Sequence, residues 1–453
     1  MIDPVSRRPV SPRSPASRRW PGYAMIWRWH FYAGLFCVPF VLWLACTGSV
    51  YLFRPQIEAL IDRPYDDLAV AGARSTAVAQ VAAGERAVPG SAFRRYELPL
   101  SPASAVRVIV ARQGVETRVY VDPYTLRVLK TVGEDDRLMR IVFRLHGELL
   151  AGDTGSYLVE LAASWAIVMI VSGLFLWWPR GQGMAGVLWP RLGRDAQGSS
   201  RGWWRDIHAV TGFYVSFFAL FMLVTGLPWA KSWGTYLQEI RTLSSGPATT
   251  PPDWAIGHVG MVMTGPGGMA AVTATDLAPL DRLVAKAASL DLAPPVVIVP
   301  PKSMAGPWTV RSDAADRPLR TTLTLDQSGH VLTREDFSTR PLLDRIVGTG
   351  VAVHEGQLFG LANQLLGLAT ALGLVTLCVS SVQLWLRRRP GGVLGAPTAT
   401  TRPLAFGFVA LLVVLGVVLP MLGGSMILVV LAERLVLRRL PRAGRWLGLR
   451  PAG

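Results

Sequence analysis

Two stretches of the chain repeat each other in register without a gap, and a duplicated sequence predicts a duplicated structure arranged about an axis. His30 is followed by Gly34, Thr47 and Gly48, and His208 by Gly212, Thr225 and Gly226 at the same offsets. His146 precedes Ser172 and Trp177, and His354 precedes Ser380 and Trp385, again at the same offsets. The matched residues run through apolar segments long enough to cross a bilayer core of about 30 Å at ~1.5 Å per residue. Because the first and third of these segments run the same way, the halves form parallel repeats about an axis along the membrane normal, and equivalent residues share a depth. His30 and His208 then lie near one membrane edge, His146 and His354 at the other.

Six apolar segments are legible: about 26–53, 155–178, 207–229, 361–386, 404–419 and 421–437, the last two forming a hairpin around Pro420. With 51% hydrophobic and 17% charged residues over 453 positions, the chain is too apolar for a soluble protein of this size. The net charge of +16 would suit nucleic acid if it were gathered on a soluble face. Instead the arginines sit beside the spans, so no nucleic-acid partner is expected. Arg7, Arg8, Arg13, Arg18 and Arg19 precede the first span and Arg28 sits at its start, Arg180, Arg191, Arg194, Arg201 and Arg205 follow the second, and Arg387 to Arg389 with Arg402 follow the fourth. Arg434, Arg438, Arg439, Arg442, Arg445 and Arg450 crowd the end. Positive loops stay inside, so the expectation is a multi-pass protein of a bacterial inner membrane with both termini cytoplasmic and two mixed-charge stretches in the periplasm.

Cys37, Cys46 and Cys378 fall inside apolar runs without a CxxC pair, which offers neither a zinc ribbon nor a disulfide framework, and there is no CxxCH for covalent haem. The first apolar run is too long for a signal-peptide core, and no A-x-A site follows it. Trp43-Leu44-Ala45-Cys46 has a tryptophan where a lipoprotein cleavage site has leucine.

The chain then divides into a basic tail over 1–25, a first span over 26–53, a polar module over 54–139, an edge helix and second span over 140–178, a loop over 179–206 and a third span over 207–229. A second module follows over 230–341, an edge helix and fourth span over 342–386, a loop over 387–403, the hairpin over 404–437 and a tail over 438–453. Both modules read as a helical piece followed by alternating strands. In the first, Thr76 to Ala83 precedes strands at Phe93 to Leu98, Ala105 to Ala111 and Thr117 to Asp122; in the second, Leu280 to Leu290 precedes Val296 to Val299, Trp308 to Ser312 and Thr321 to Leu325.

A membrane-edge histidine taken alone is a polar residue satisfied by a carbonyl or a headgroup. Pairing changes that, because ionisable residues in spans are costly and two neutral imidazoles facing across an axis supply opposed axial ligands for a haem iron. Four helices around the axis also provide an apolar slot for a porphyrin. Two b-type haems are therefore expected, one on His30 and His208 near the cytoplasm and one on His146 and His354 at the periplasmic edge. Arg28 and Arg205, just before the inner histidines, and Arg140 and Arg144, before an outer one, are candidates to neutralise propionates; the plainer alternative is that they only set topology. Trp27, Trp29, Trp203 and Trp204 read first as an interfacial belt.

A zinc or non-haem iron site is also conceivable at His354-Glu355 and His146-Gly147-Glu148, but the spacing matches no zincin. His258 and His330 have no counterpart in the first half and read as surface residues. Gly181-Gln182-Gly183-Met184-Ala185-Gly186 fits a dinucleotide fingerprint, yet it follows a membrane span and not a strand. Without a nucleotide-binding domain, electrons would arrive from a quinol or from a separate cytoplasmic reductase.

At this level of detail the chain resembles the PepSY-associated transmembrane helix family, which includes iron-regulated inner-membrane proteins and ferric-siderophore reductases. The residues that carry the resemblance are His30 with Gly34 and Thr47-Gly48, His146-Gly147-Glu148-Leu149-Leu150 with Gly155, and Ser172-Gly173-Leu174-Phe175-Leu176-Trp177-Trp178-Pro179-Arg180. Asp206-Ile207-His208 with Gly212, His354-Glu355-Gly356 with Phe359-Gly360, and Leu384-Trp385 with Arg387 to Arg389 complete the series, and Leu419-Pro420 is similar to the family's C-terminal end. One departure is Ser380-Ser381 where the first half has Ser172-Gly173. The resemblance implies an α-helical polytopic membrane protein of about six transmembrane helices in tandem parallel repeat. It also implies two small α+β PepSY-like periplasmic domains, Tyr120-Val121-Asp122-Pro123 being the better match and Leu323-Thr324-Leu325-Asp326 the weaker. Its implied activity is di-haem electron transfer to a ferric siderophore or other ferric chelate, with the four paired histidines as ligands.

Two other function classes compete. A transporter would use the same parallel repeat, but it needs a polar midplane site, and the span centres offer only Thr47, Thr225, Ser172 and Ser380. A scaffold binding a periplasmic partner through the modules would leave the four histidines dispensable.

Overall fold

The computed structural model describes residues 22–179, 188–189, 200–245, 277–301, 303, 306–397 and 406–449. The arginines before Gly22, Arg180, Arg191, Arg194, Arg402, Arg450, His258 and the glycine motif at 181–186 lie outside the described residues.

Long uncharged stretches become long helices: α1 (Tyr23–Leu52), α5 (Gly152–Trp177), α6 (Ser200–Gly226) and α10 (Gly360–Arg388). Among the described residues, four helices are long and apolar enough to cross a membrane. They leave side chains such as Val50, Phe217 and Leu372 exposed, as helices that face lipid do. α1 packs on α5 and α10, and α6 packs on the same two, closing a ring of four.

Between α1 and α5 the chain forms α2 (Arg54–Asp62), α3 (Ala77–Ala87) and the edge helix α4 (Leu138–Glu148); between α6 and α10 it forms α7 (Lys231–Ser245), α8 (Leu280–Ala288) and the edge helix α9 (Leu342–His354). α4 ends in a turn where Leu149 and Leu150 both take positive φ, 53° and 56°, a conformation that bulky residues adopt only when their surroundings hold them there. After α9 the same job falls to Gly356, at φ 74°, which carries no Cβ penalty. α7 was not foreseen from the sequence. Its first N–H groups are satisfied from α5: Ser156 accepts from the Lys231 N–H at 3.2 Å, and Glu160 accepts from Ser232 at 2.9 Å and Trp233 at 3.2 Å, as an unpaired helix start requires.

The two polar stretches were expected as separate modules, and the structure joins them into one sheet. Strands β1 (Ala92–Glu97), β2 (Val106–Arg112), β3 (Val115–Val121) and β4 (Val128–Gly133) come from the first. β5 (Val296–Val299), β6 (Trp308–Ser312), β7 (Thr321–Leu325) and β8 (Val331–Asp336) come from the second. The order is β4-β3-β2-β1-β5-β6-β7-β8, and the halves meet where β1 pairs antiparallel with β5, Tyr96 opposite Ile298. The reason is hydrophobic: α3 and α8 share one core with Val108, Val119, Ile298, Trp308, Val310 and Leu323, so neither half has a complete core alone. β4 and β8 lacked a clear sequence signal because edge strands are half exposed and their alternation is blurred.

The last apolar segments form a hairpin, α11 (Phe406–Val418) and α12 (Pro420–Leu435). At 13 and 16 described residues these helices run about 20 and 24 Å, shorter than the four long helices. The hairpin packs on α5, where Trp165 donates to Ser425 at 3.0 Å. A final short helix, α13 (Pro441–Trp446), clips onto the start of α1.

Candidate cofactor-binding site

The ring of four helices encloses a cavity of about 1670 Å³, and His30, His208, His146 and His354 all line it. His146 and His354 sit at the end nearer the sheet, on the terminal turns of α4 and α9. Their ring centroids are 6.4 Å apart with the planes at 76°. Two metal–nitrogen bonds of about 2 Å each, plus the half-ring beyond each nitrogen, add to about 6 Å, so this spacing fits one metal held between two imidazoles. His30 on α1 and His208 on α6 line the opposite end, within electrostatic reach of each other.

All four imidazoles are anchored at Nδ1. His30 meets the Ser172 hydroxyl at 3.0 Å and His208 the Ser380 hydroxyl at 3.1 Å; His146 meets Thr47 and His354 meets Thr225, each at 3.0 Å. Nε2 makes no hydrogen bond in any of the four among the described residues. Glycines leave the rings their room. A Cβ on Gly48 would stand 3.1 Å from His146 Cε1, one on Gly226 3.2 Å from His354 Cε1, and one on Gly173 3.1 Å from His30 Cε1. At the fourth position the offset puts Ser381, whose hydroxyl donates to the Cys378 carbonyl at 2.8 Å. On the short helices outside the spans, burial, with the neighbouring His354 next in effect, pushes His146 down to about 4. Burial also lowers His354. Both shifts favour the neutral ring, the form in which an imidazole ligates a metal.

The arginines distribute differently from expectation. Arg205 lines the cavity near His208 and pairs with Asp206 at 3.1 Å. Arg28 does not line it. Its guanidinium is buried against the carbonyls of Pro397, at 2.6 Å, Gly448, at 3.1 Å, and Leu447, so it clasps the C-terminal segment and is withdrawn from the propionate role. Arg140 pairs with Asp135 at 3.1 Å and lies over the Phe143 ring, and Arg144 lies 3.7 Å from Glu148; neither lines the cavity. The sequence reading passed over Arg388, which does line it and sits over the rings of Trp27, at 4.7 Å, and Phe31.

At the sheet end the cavity mouth carries Tyr51, Phe143, Trp229 and Glu355. Trp229 packs edge-on against His354 at 5.7 Å. Glu355 is held by Arg317, which reaches down from the sheet to 3.1 Å; burial alone would raise this carboxyl, but Arg317, Arg54 and Arg320 outweigh it and hold it below the usual carboxylate range. Both Glu355 and Arg317 are buried, which commits this carboxylate to the ion pair and not to a metal. Among the described residues no group of three or more His, Cys, Asp or Glu side chains gathers as a metal site. His330 is exposed in the Asp326 turn, away from the cavity.

The hydroxyls, glycines, Glu160 and Arg317 were missed as site residues. Thr47, Thr225, Ser172 and Ser380, with Gly48 and Gly226, did carry a signal, since they recur at fixed offsets from the histidines. Arg317 and Glu160 carried none, because neither belongs to the repeat.

The residues present fit a pair of porphyrins: imidazoles paired at the two ends of the cavity, one pair at metal-bridging distance, Nε2 atoms without hydrogen bonds, apolar walls, and cations at one end. A comparison with curated proteins finds no match. The model of the PepSY-associated TM region matches residues 27–388, a stretch that takes in all four histidines and the sheet, and the chain belongs to that family of membrane proteins.

Proposed function

We propose that this protein is a di-haem b oxidoreductase of a bacterial inner membrane. It passes electrons from the cytoplasmic side to a ferric siderophore or related ferric chelate in the periplasm. The observation that carries the proposal is the pairing of four Nδ1-anchored histidines at the two ends of one apolar cavity, with His146 and His354 at bridging distance. In this reading the two halves are parallel repeats, both termini are cytoplasmic, and the sheet stands in the periplasm, as the arginine distribution favours.

Haem bound between each pair would supply one-electron carriage at a potential set by its ligands and surroundings. His146 and His354 hold the site nearer the sheet, and His30 and His208 the other. Arg205 and Arg388 are the cations placed to neutralise propionates at the latter. The apolar walls exclude water between the two levels. Thr47, which anchors His146, follows His30 by 17 residues on α1 (30 to 47), about 25 Å of helix, so two carriers together cover most of the membrane. Tyr51, Phe143 and Trp229 form an aromatic rim through which the upper site meets the sheet. Electrons enter at the lower site from a quinol or a cytoplasmic reductase.

A reduced-minus-oxidised absorption spectrum of the purified protein tests this. Bis-histidine b-type bands at two haems per chain are expected, with half lost in His354→Ala and half in His208→Ala. Colourless protein from haem-replete cells would end the proposal.

A further inference from the structure

Each of the four imidazoles meets a serine or threonine hydroxyl at Nδ1, and His30 also meets the main-chain carbonyl three residues before that hydroxyl on the same helix. For His30 these are Ser172 and Met169, at 3.0 and 3.1 Å. For His208 the hydroxyl is Ser380, at 3.1 Å, for His146 Thr47 and for His354 Thr225, each at 3.0 Å. A carbonyl can only accept, so the ring nitrogen that meets it must carry the hydrogen. The hydroxyl has one hydrogen, and it is spent along its own helix: Thr47 donates to Trp43 at 2.8 Å, Thr225 to Phe221 at 2.7 Å, Ser172 to Met169 at 3.0 Å and Ser380 to Leu377 at 3.1 Å. Its lone pair therefore also faces an N–H.

We infer that this hydroxyl cradle fixes all four histidines as the Nδ1–H tautomer and aims every Nε2 lone pair into the cavity, which makes Thr47, Thr225, Ser172 and Ser380 positioning residues for the metal ligands. The inference rests on the di-haem reading for its consequence, since a ligand's second nitrogen sets its orientation and basicity. The hydroxyls come from opposite elements at the two ends. At the lower site the histidines stand on α1 and α6 and the hydroxyls on α5 and α10; at the upper site α1 and α6 carry the hydroxyls. Each haem thus has its own pair of hydroxyls, and the two potentials can be tuned separately.

Two measurements test it. Solid-state NMR on haem-free, ¹⁵N-histidine-labelled protein reads the tautomer directly: Nδ1–H is expected for the four buried rings, and Nε2–H at any of them overturns the cradle. In the haem-loaded protein, Thr47→Val keeps the shape and removes the hydroxyl. One of the two steps of a redox titration should shift or disappear while the other stays, Thr47→Ser should restore it, and Ser172→Ala should move the other step. Two full haems with both steps unmoved in Thr47→Val and Ser172→Ala would sink the positioning role and leave the di-haem reading standing. A wild type without haem would end that reading, and the tautomer measurement would still decide the cradle.

Discussion

The two ends of the cavity hold their histidines in the same way and are themselves held in different ways. At the sheet end the bundle is tied to the sheet and to its own edge helices by buried charge: Arg317 to Glu355, and Arg241 to Asp344 through two bonds of 2.7 Å. At the opposite end the ties are to neutral oxygen: Arg28 to three carbonyls, and the Trp385 indole to the Leu394 carbonyl at 2.8 Å. Removing one member of a buried ion pair strands the other in a poorly solvating place, whereas a carbonyl that loses a donor retains its other lone pair. The sheet end is therefore the end whose supports fail abruptly.

Breaking one tie at each end gives the largest contrast. Arg317→Met takes from buried Glu355 its ion-pair partner, leaving only Arg54 and Arg320 nearby, and should cost up to about 3–5 kcal/mol, read as a lowered midpoint in detergent unfolding, with much of it regained in the double variant Arg317→Met, Glu355→Leu. Arg28→Met should cost about 1–3 kcal/mol. Equal losses would erase the distinction between the ends.

Crowding the rings sharpens the comparison at the level of the site. Gly226→Ala places a methyl 3.2 Å from the His354 ring, while Gly34→Ala meets only the Met169 sulfur, at 3.9 Å. The first should cost about 1–3 kcal/mol by overpacking and lower haem content at the sheet end; the second should leave the spectrum unchanged. Full haem content in Gly226→Ala would show that the ring has more freedom than its packing indicates.

The smallest effect is on pH. Burial alone would raise Glu134, but Arg118, Arg137 and Arg95 outweigh it and hold it at about 2. Its folded value lies below its ordinary 4.5, so its contribution is complete above that value and is lost as the pH falls from there toward 2. Glu134→Gln should be less stable than the wild type above that window and lose less stability across it, the two converging toward pH 2, measured by tryptophan fluorescence; an unchanged profile would mean another group governs this junction between sheet and edge helix.

Much of this was legible in the residues because the repeat carries it. Four of the six apolar segments became long helices and the four histidines matched by offset line one cavity, and β5, β6 and β7 fell where alternation placed them. The arginines were harder. Arg28 sits two positions before His30, but on a helix that offset turns a side chain away to another face, and it found the C-terminal segment instead. Arg388 was read only as a topology signal and turned out to line the cavity. The merged sheet was invisible because the β1–β5 seam joins residues some 200 positions apart, and no local pattern encodes such a pairing.

What the sequence determined by itself is what depends on hydrophobic length and on register: a helical membrane protein with four histidines at matching offsets in two stretches. The tertiary structure decided which atoms meet. It set the 6.4 Å between His146 and His354, the choice of Nδ1 as the anchored nitrogen, the fusion of the two modules over one core, and the descent of Arg317 onto Glu355. Apolar patterning is a sum over many residues and survives any single contact, whereas hydrogen bonds and ion pairs depend on distances of a few ångströms between groups far apart in the chain.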